Sequence, residues 1–306
     1  MAKISIIGAG NVGASLAQRL AEKGYADIVL LDIIEGLPQG KALDILQSSP
    51  VTGCDANITG ANDYQDTADS DVVVVTSGSA RKPGMTRDDL ARTNADIISA
   101  VTKNIVKHSP DCIIVMVTNP VDAMTQLTLK VSGFPPSRVV GLSGVLDSAR
   151  LSSFIAAELK VSVSEVSSLV LGEHGQNMVV IPRLATARGK PITELLPPET
   201  IERLTERTVN GGAEIVDLLK TGSAFYAPTA SAARMVEAII MDKKEILPCA
   251  AYLQGEYDIN NVVIGVQVRL GKKGIEEIVE LELTQEEREA LKGSAEAVRK
   301  LIKAII

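Results

Sequence analysis

Through residues 1–145 short runs of β-branched residues alternate with longer stretches of helical periodicity, and that alternation narrows the possible folds more than any other feature of the chain. The runs Ile4–Ile7, Ile28–Leu31, Val72–Thr76, Ile113–Val117 and Val139–Gly141 are nearly continuously apolar, whereas a strand with one solvated face would alternate apolar and polar side chains. Such strands suit a parallel sheet covered on both faces. The patterns Ala14–Lys23, Leu37–Ser48, Arg87–Lys107 and Asp122–Val131 supply the covering helices. The first half is therefore expected to be α/β, with a doubly wound parallel sheet.

Past residue 146 the order changes. A helix is expected over Leu146–Leu159, then strands at Val166–Leu171 and Met178–Ile181 around a glycine-rich turn. Helices follow from Glu199 to Lys220 and over Ala227–Met241, with strands at Ile246–Tyr252 and Val262–Leu270 and a charged amphipathic helix from Gln285 to Lys303. This predicts two domains, 1–145 and a second α+β domain over 146–306. No low-complexity linker separates them, so the halves should share an extensive interface.

Composition excludes several functions. Lys and Arg number 31 against 38 Asp and Glu, a net charge of −7, which leaves no basic field for nucleic acid. Aromatic residues make up 3% and Trp is absent, so platforms for base stacking are few. Cys54, Cys112 and Cys249 are isolated and odd in number, which suits a reducing, cytoplasmic setting and supplies no metal site. The apolar stretch Ile4–Gly10 is too short and glycine-rich for a signal sequence. No apolar run approaches the ~20 residues that span a bilayer. A soluble protein with no membrane partner is expected.

Directly after the first run stands Gly8-Ala9-Gly10-Asn11-Val12-Gly13, opening a helix. A GxGxxG alone is equally a tight turn. Here it leaves a strand, enters an amphipathic helix and is followed about twenty residues on by Asp32 at the end of the second run. Gly8 permits the turn, Gly10 lets backbone touch a pyrophosphate and Gly13 lets helix pack on strand. The amides of Asn11 and Val12 and the helix dipole favour phosphate. Asp32 would accept from the adenosine ribose and repel a 2′-phosphate. A Rossmann-type site for NAD rather than NADP is the reading.

Hydride transfer to or from an alcohol needs a proton acceptor, and the chain has 2 histidines. His108 ends a helix, where capping carbonyls accounts for it. His174, in Gly172-Glu173-His174-Gly175, lies just past a strand with small neighbours that leave room for a ligand. Asp147 and Arg150 stand i and i+3 at a helix start, so one could orient His174 and the other grip a carboxylate. A dipole-stabilising Asp and an ordinary surface pair account for the same two residues. The loop Ser77–Arg87, with Arg81 and Arg87 among glycines and a proline, follows a strand end and could close over an anion or simply be solvated. Asn119, in Val117-Thr118-Asn119-Pro120, ends another strand with an amide able to meet nicotinamide and substrate.

GxGxxG with Asp32, ARKPGMTR, VTNPVD, LDSAR and GEHG occur in this order across essentially the whole chain, which resembles the lactate/malate dehydrogenase family. That resemblance implies His174 as catalytic acid/base, Asp147 as its partner and Arg150 as the clamp on the substrate's C1 carboxylate. It implies Arg87 as the lid residue polarising the carbonyl, Arg81 as the ligand of a distal carboxylate and Asn119 as a contact of both substrate and cofactor. Asn94 and Val117 would line the nicotinamide side. Arg81, where lactate-specific relatives carry glutamine, implies a small dicarboxylic substrate, (S)-malate or oxaloacetate, and an assembly of two or four copies. Glu173 is more like the lactate branch, and Gln176 replaces a common aspartate. The alternatives are a lactate or other 2-hydroxy acid dehydrogenase, an NAD-dependent glycosidase, which would need metal ligands, and a non-catalytic NAD-binding protein.

Overall fold

The computed structural model describes residues 1–55, 57–79 and 87–305, and of residues 87–90 the backbone alone. The first half runs β1 (Ala2–Ile7), α1 (Asn11–Ala21), β2 (Ala26–Leu31), α2 (Leu37–Thr52), β3 (Asn57–Ala61), β4 (Val72–Val75), α3 (Arg87–His108), β5 (Ile113–Met116), α4 (Val121–Ser132) and β6 (Val139–Gly141). These strands are parallel in the order β3-β2-β1-β4-β5-β6. Successive residues of one strand feed opposite cores. Ile4, Ile6, Val72 and Val74 pack on one face, while Ile7, Val73 and Val75 meet Ile98 and Ile105 of α3 and Met124 of α4 on the other. Burial on both faces explains the unbroken apolar runs.

The second half runs α5 (Gly144–Leu159), β7 (Val166–Ser167), β8 (Val170–Gly172), β9 (Met178–Val180), β10 (Thr186–Ala187), β11 (Lys190–Pro191), α6 (Ile192–Leu195), α7 (Pro198–Leu219), α8 (Tyr226–Ile240), β12 (Glu245–Gln254), β13 (Asn260–Gly271), β14 (Gly274–Ile278) and α9 (Gln285–Ile305). The parallel sheet does not stop at residue 141. β12 pairs antiparallel with β6 at Ala250 and Gly141, β13 pairs with β12, and β8 pairs with β13 at Gly172 and Gly265. One sheet therefore carries strands from both halves, and one core cluster joins Ile4 and Val74 to Leu171, Val236 and Val266.

Besides adding the short elements β10, β11, α6 and β14, the structure differs from the sequence expectation at two strands. Val166–Leu171 is not one strand, because β7 joins β10 and β11 in a separate small sheet while β8 joins the large one. β3 was absent from the expected elements because it is an edge strand mixing exposed and buried positions, which the test for continuous apolar runs passes over.

Candidate active site

The glycine loop lies between β1 and α1, at the carboxyl end of the parallel strands. Gly8 has φ +110°, a conformation that side chains resist. A Cβ on Gly13 would lie 1.8 Å from the Gly8 carbonyl oxygen, so helix and loop touch only because position 13 has no side chain. A Cβ on Gly10 would meet nothing within 4 Å. That open ground beside the first amides of α1, at Asn11 and Val12, fits a pyrophosphate. Asp32 braces this loop as well as ending β2: its Oδ2 accepts the buried Ala9 N–H at 2.7 Å and its Oδ1 accepts from Ile34 N at 3.0 Å. A carboxylate with two oxygens still has capacity for ribose hydroxyls. Lys41 of α2 donates to the Ala9 carbonyl at 2.6 Å. No pattern in the sequence distinguished it from a surface lysine.

Loops after β4 and β5 border the same edge. Asn94 of α3 is buried, and its side chain is spent inside the protein: Oδ1 accepts from Ser79 N at 2.7 Å and Nδ2 donates to the Asn119 carbonyl at 2.7 Å. Val117 is half-buried and Asn119 exposed. Arg81 falls outside the described residues; Arg87 is the first residue of α3, and its side chain falls outside them as well.

Three groups expected to act together do meet. His174 Nδ1 donates to Asp147 Oδ2 at 2.7 Å, a carboxylate being able only to accept, which leaves Nε2 for a ligand. Asp147 Oδ1 accepts from Arg150 Nη1 at 3.2 Å. Asp147 is 1% exposed while the side chains of His174 and Arg150 keep 14% and 12%. Arg150 Nε is buried without a partner, and a Cβ on Gly211 of α7 would already lie 3.2 Å from Arg150 Cδ. Gly211 and its neighbour Gly212, where a Cβ would lie 3.6 Å from Arg150 Nη2, make room for the guanidinium. Burial by itself would lower the His174 pKa, but the charge and hydrogen bond of Asp147 together with the charge of Asp122 outweigh it, so the imidazole titrates above its ordinary range.

The His174 loop is held from further away than the sequence indicated. Gly172 turns the chain at φ +84°. The N–H of Glu173 donates to Ser294 Oγ of α9 at 2.7 Å, and that of His174 to Asp122 Oδ2 of α4 at 2.9 Å. Ser294 lies 121 residues from its partner, and nothing local marks it. Asp122 sits in the VTNPVD motif, where a helix start accounts for an acid equally well. Gln176 is exposed. His108 ends α3 near the start of β5, at the opposite edge of the sheet from His174. Among the described residues no helix is long and apolar enough to cross a membrane, and no group of three or more His, Cys, Asp or Glu is placed to hold a metal ion. A cleft of about 410 Å³ lined by Asp71, Arg138 and Lys272 lies at that opposite edge and contains none of these groups.

Residues 2–141 match the sequence profile described as lactate/malate dehydrogenase, NAD binding domain, and residues 144–306 that described as lactate/malate dehydrogenase, alpha/beta C-terminal domain. A malate dehydrogenase of Dehalococcoides mccartyi is 57% identical over 305 residues, covering 100% of this chain and 99% of that protein. Among solved structures, malate dehydrogenase of Cryptosporidium parvum superposes with a TM-score of 0.97 at 42% identity, over 99% of this chain and 98% of that one. Lactate dehydrogenase of Cryptosporidium parvum, complexed with lactic acid and nicotinamide adenine dinucleotide, gives 0.96 at 38% identity over 99% and 98%.

Proposed function

The chain belongs to the lactate/malate dehydrogenase family, and on that premise we propose that it catalyses reversible, NAD-dependent oxidation of (S)-malate to oxaloacetate. The observation that carries the reading is the Asp147 carboxylate shared between His174 and Arg150, which sets a proton carrier beside an anion clamp at the sheet edge that holds the glycine loop. Bound NAD would supply the hydride acceptor for the carbinol carbon, and NADH the hydride donor for the reverse direction. His174 Nε2 takes the hydroxyl proton during oxidation and gives it back during reduction. Asp147 fixes the tautomer and stabilises the imidazolium that forms. Arg150, with an unpartnered Nε, grips the C1 carboxylate. Arg87 polarises the reacting carbonyl, Arg81 pairs with the distal carboxylate, and Asn119 contacts substrate and nicotinamide. Gly8, Ala9, Gly10, Asn11, Val12, Gly13 and Asp32 hold the adenosine diphosphate half, with Val117 against the nicotinamide and Asn94 supporting Asn119 from behind.

The work divides near residue 145, with cofactor binding before it and substrate chemistry after it. We also place the protein in the cytoplasm, supported by its three free cysteines, and as a homodimer or homotetramer. Exposed Ile33, Ile34, Leu43, Leu46 and Val51 on and beside α2 support association.

The second reading, a lactate dehydrogenase, is favoured by the likeness to the lactic acid complex and separated by Arg81. Truncating one member of a desolvated charge pair costs about 2–5 kcal/mol, on the order of 30- to several-thousand-fold in kcat/KM. Arg81→Gln should cost oxaloacetate that factor and pyruvate nothing at this contact, whereas Arg150 replacement should damage both. Measuring kcat/KM for both substrates decides it: equal slowing of both by Arg81→Gln, or of neither, removes the support for malate.

A further inference from the structure

Ala9, between the first two glycines of the loop, is wholly buried, and two charged side chains of opposite sign hold the polar groups of its backbone. Asp32 Oδ2 accepts its N–H at 2.7 Å, and Lys41 Nζ donates to its carbonyl at 2.6 Å. Asp32 directly follows β2 and Lys41 stands in the second turn of α2, so both reach the loop from the strand and helix that lie beside β1. That unit is itself braced: Asn62 Nδ2 donates to the carbonyls of Asp32 and Ile34 at 2.7 and 3.1 Å, and Gln39 Nε2 donates to Asn62 Oδ1 at 2.6 Å. Lys41 is half-buried, and among the described residues the Ala9 carbonyl is the one polar partner of its ammonium, which carries three donors. Bracing a carbonyl does not require a charge. Fixing a lysine costs rotamer freedom, and a neutral amide would supply the same N–H.

Resting on the reading of Asp32 as the ligand of the adenosine ribose, we propose that Lys41 is a positioning and specificity-determining residue for the dinucleotide. It fixes the Ala9 carbonyl, and it sets a positive charge one residue's backbone away from the Asp32 carboxylate. A 2′-phosphate needs a cation where NAD presents a hydroxyl, and Lys41 supplies one with two donors unspent. Asp32 masks that cation, because its own charge repels the phosphate and offsets the ammonium across Ala9. Cofactor choice therefore rests on the Asp32 carboxylate and not on the lack of a positive group. With that carboxylate made neutral, the Lys41 ammonium is left to pair with the phosphate.

Dissociation constants for NADH and NADPH, read from nicotinamide fluorescence on titration, test this without turnover. Asp32→Asn keeps an acceptor oxygen for the Ala9 amide and removes the charge. It should tighten NADPH relative to NADH by about 10-fold or more, since a like charge no longer faces the phosphate. Adding Lys41→Met should cancel most of that gain, raising the NADPH-to-NADH ratio of dissociation constants about 10-fold, the scale of one charge-assisted hydrogen bond. Adding Lys41→Arg instead should keep the gain. Loss of the Ala9 brace weakens both dinucleotides alike and drops out of the ratio, so a merely structural lysine would not move it. An unmoved ratio on adding Lys41→Met to Asp32→Asn overturns the proposal, as does a ratio raised equally by Lys41→Arg. If Asp32→Asn leaves the wild-type ratio in place, the ribose reading of Asp32 fails. Lys41→Met with Asp32 intact then decides the lysine: a ratio raised several-fold supports its role, and an unmoved one overturns it. The same single variant decides if the double variant does not fold.

Discussion

As the proposed acid/base, His174 would need to be protonated to reduce oxaloacetate and neutral to oxidise malate, so its environment would set the direction each pH favours. Burial alone would lower its pKa, and Asp147 and then Asp122 more than reverse that. A raised pKa keeps the imidazolium populated through the ordinary histidine range. Reduction of oxaloacetate should therefore hold its rate below that range and fall as pH rises through the raised value, while malate oxidation rises over the same interval. A kcat/KM profile in each direction reads this, and a reduction limb falling below the ordinary imidazole range would contradict it. His174→Asn should lose about 10²- to 10⁴-fold in kcat and still bind NADH, because the glycine loop and Asp32 are untouched. Near-normal turnover in that variant would send the search for the acid/base elsewhere.

At the scale of elements, β1 and α1 separate two roles for glycine that the GxGxxG pattern runs together. Gly13 lies under the Gly8 carbonyl, where a Cβ would be 1.8 Å away, and Gly10 faces open space. Gly13→Ala should cost at least the roughly 1–3 kcal/mol of an overpacked site and lower Tm by several degrees, since backbone moves less readily than a side chain. Gly10→Ala should leave Tm of the free protein unchanged but weaken NADH binding by obstructing the pyrophosphate. Thermal melts with and without NADH separate the two. Equal loss of stability would mean that the helix, rather than the phosphate, explains both glycines. Asp32 has a similar double duty on the proposed reading, since it braces the Ala9 amide besides its proposed contact with the ribose, so its replacement should also loosen the turn.

For the whole molecule, the continuous sheet and the core that joins both halves predict that 1–145 and 146–306 do not melt independently. One calorimetric transition is expected, and two well-separated ones would contradict it. The apolar side chains left exposed on α2 argue for a neighbour. Leu43 and Leu46 are 54% and 42% exposed at i and i+3, on one helix face. Light scattering should give a mass that is a multiple of 32.3 kDa, and Leu43→Glu with Leu46→Glu should reduce it towards that of one chain. An unchanged assembly would move the interface elsewhere.

The order of elements around the parallel sheet, the glycine loop with Asp32 and the pairing of Asp147 with Arg150 were legible in the sequence, because each depends on local spacing: apolar runs, a turn with its glycines, and i to i+3 on one helix. Those signals survive without knowledge of the partners. Edge strand β3, the division between β7 and β8, the inward role of Asn94 and the anchoring of His174 by Ser294 and Asp122 depend instead on contacts between distant segments. The His174 amide meets a carboxylate 52 residues away and the Glu173 amide a hydroxyl 121 away. Such pairs leave no period in the chain, since a single serine or aspartate reads the same whether solvent or a buried amide faces it. Only packing of α4, α5 and α9 around one loop decided which.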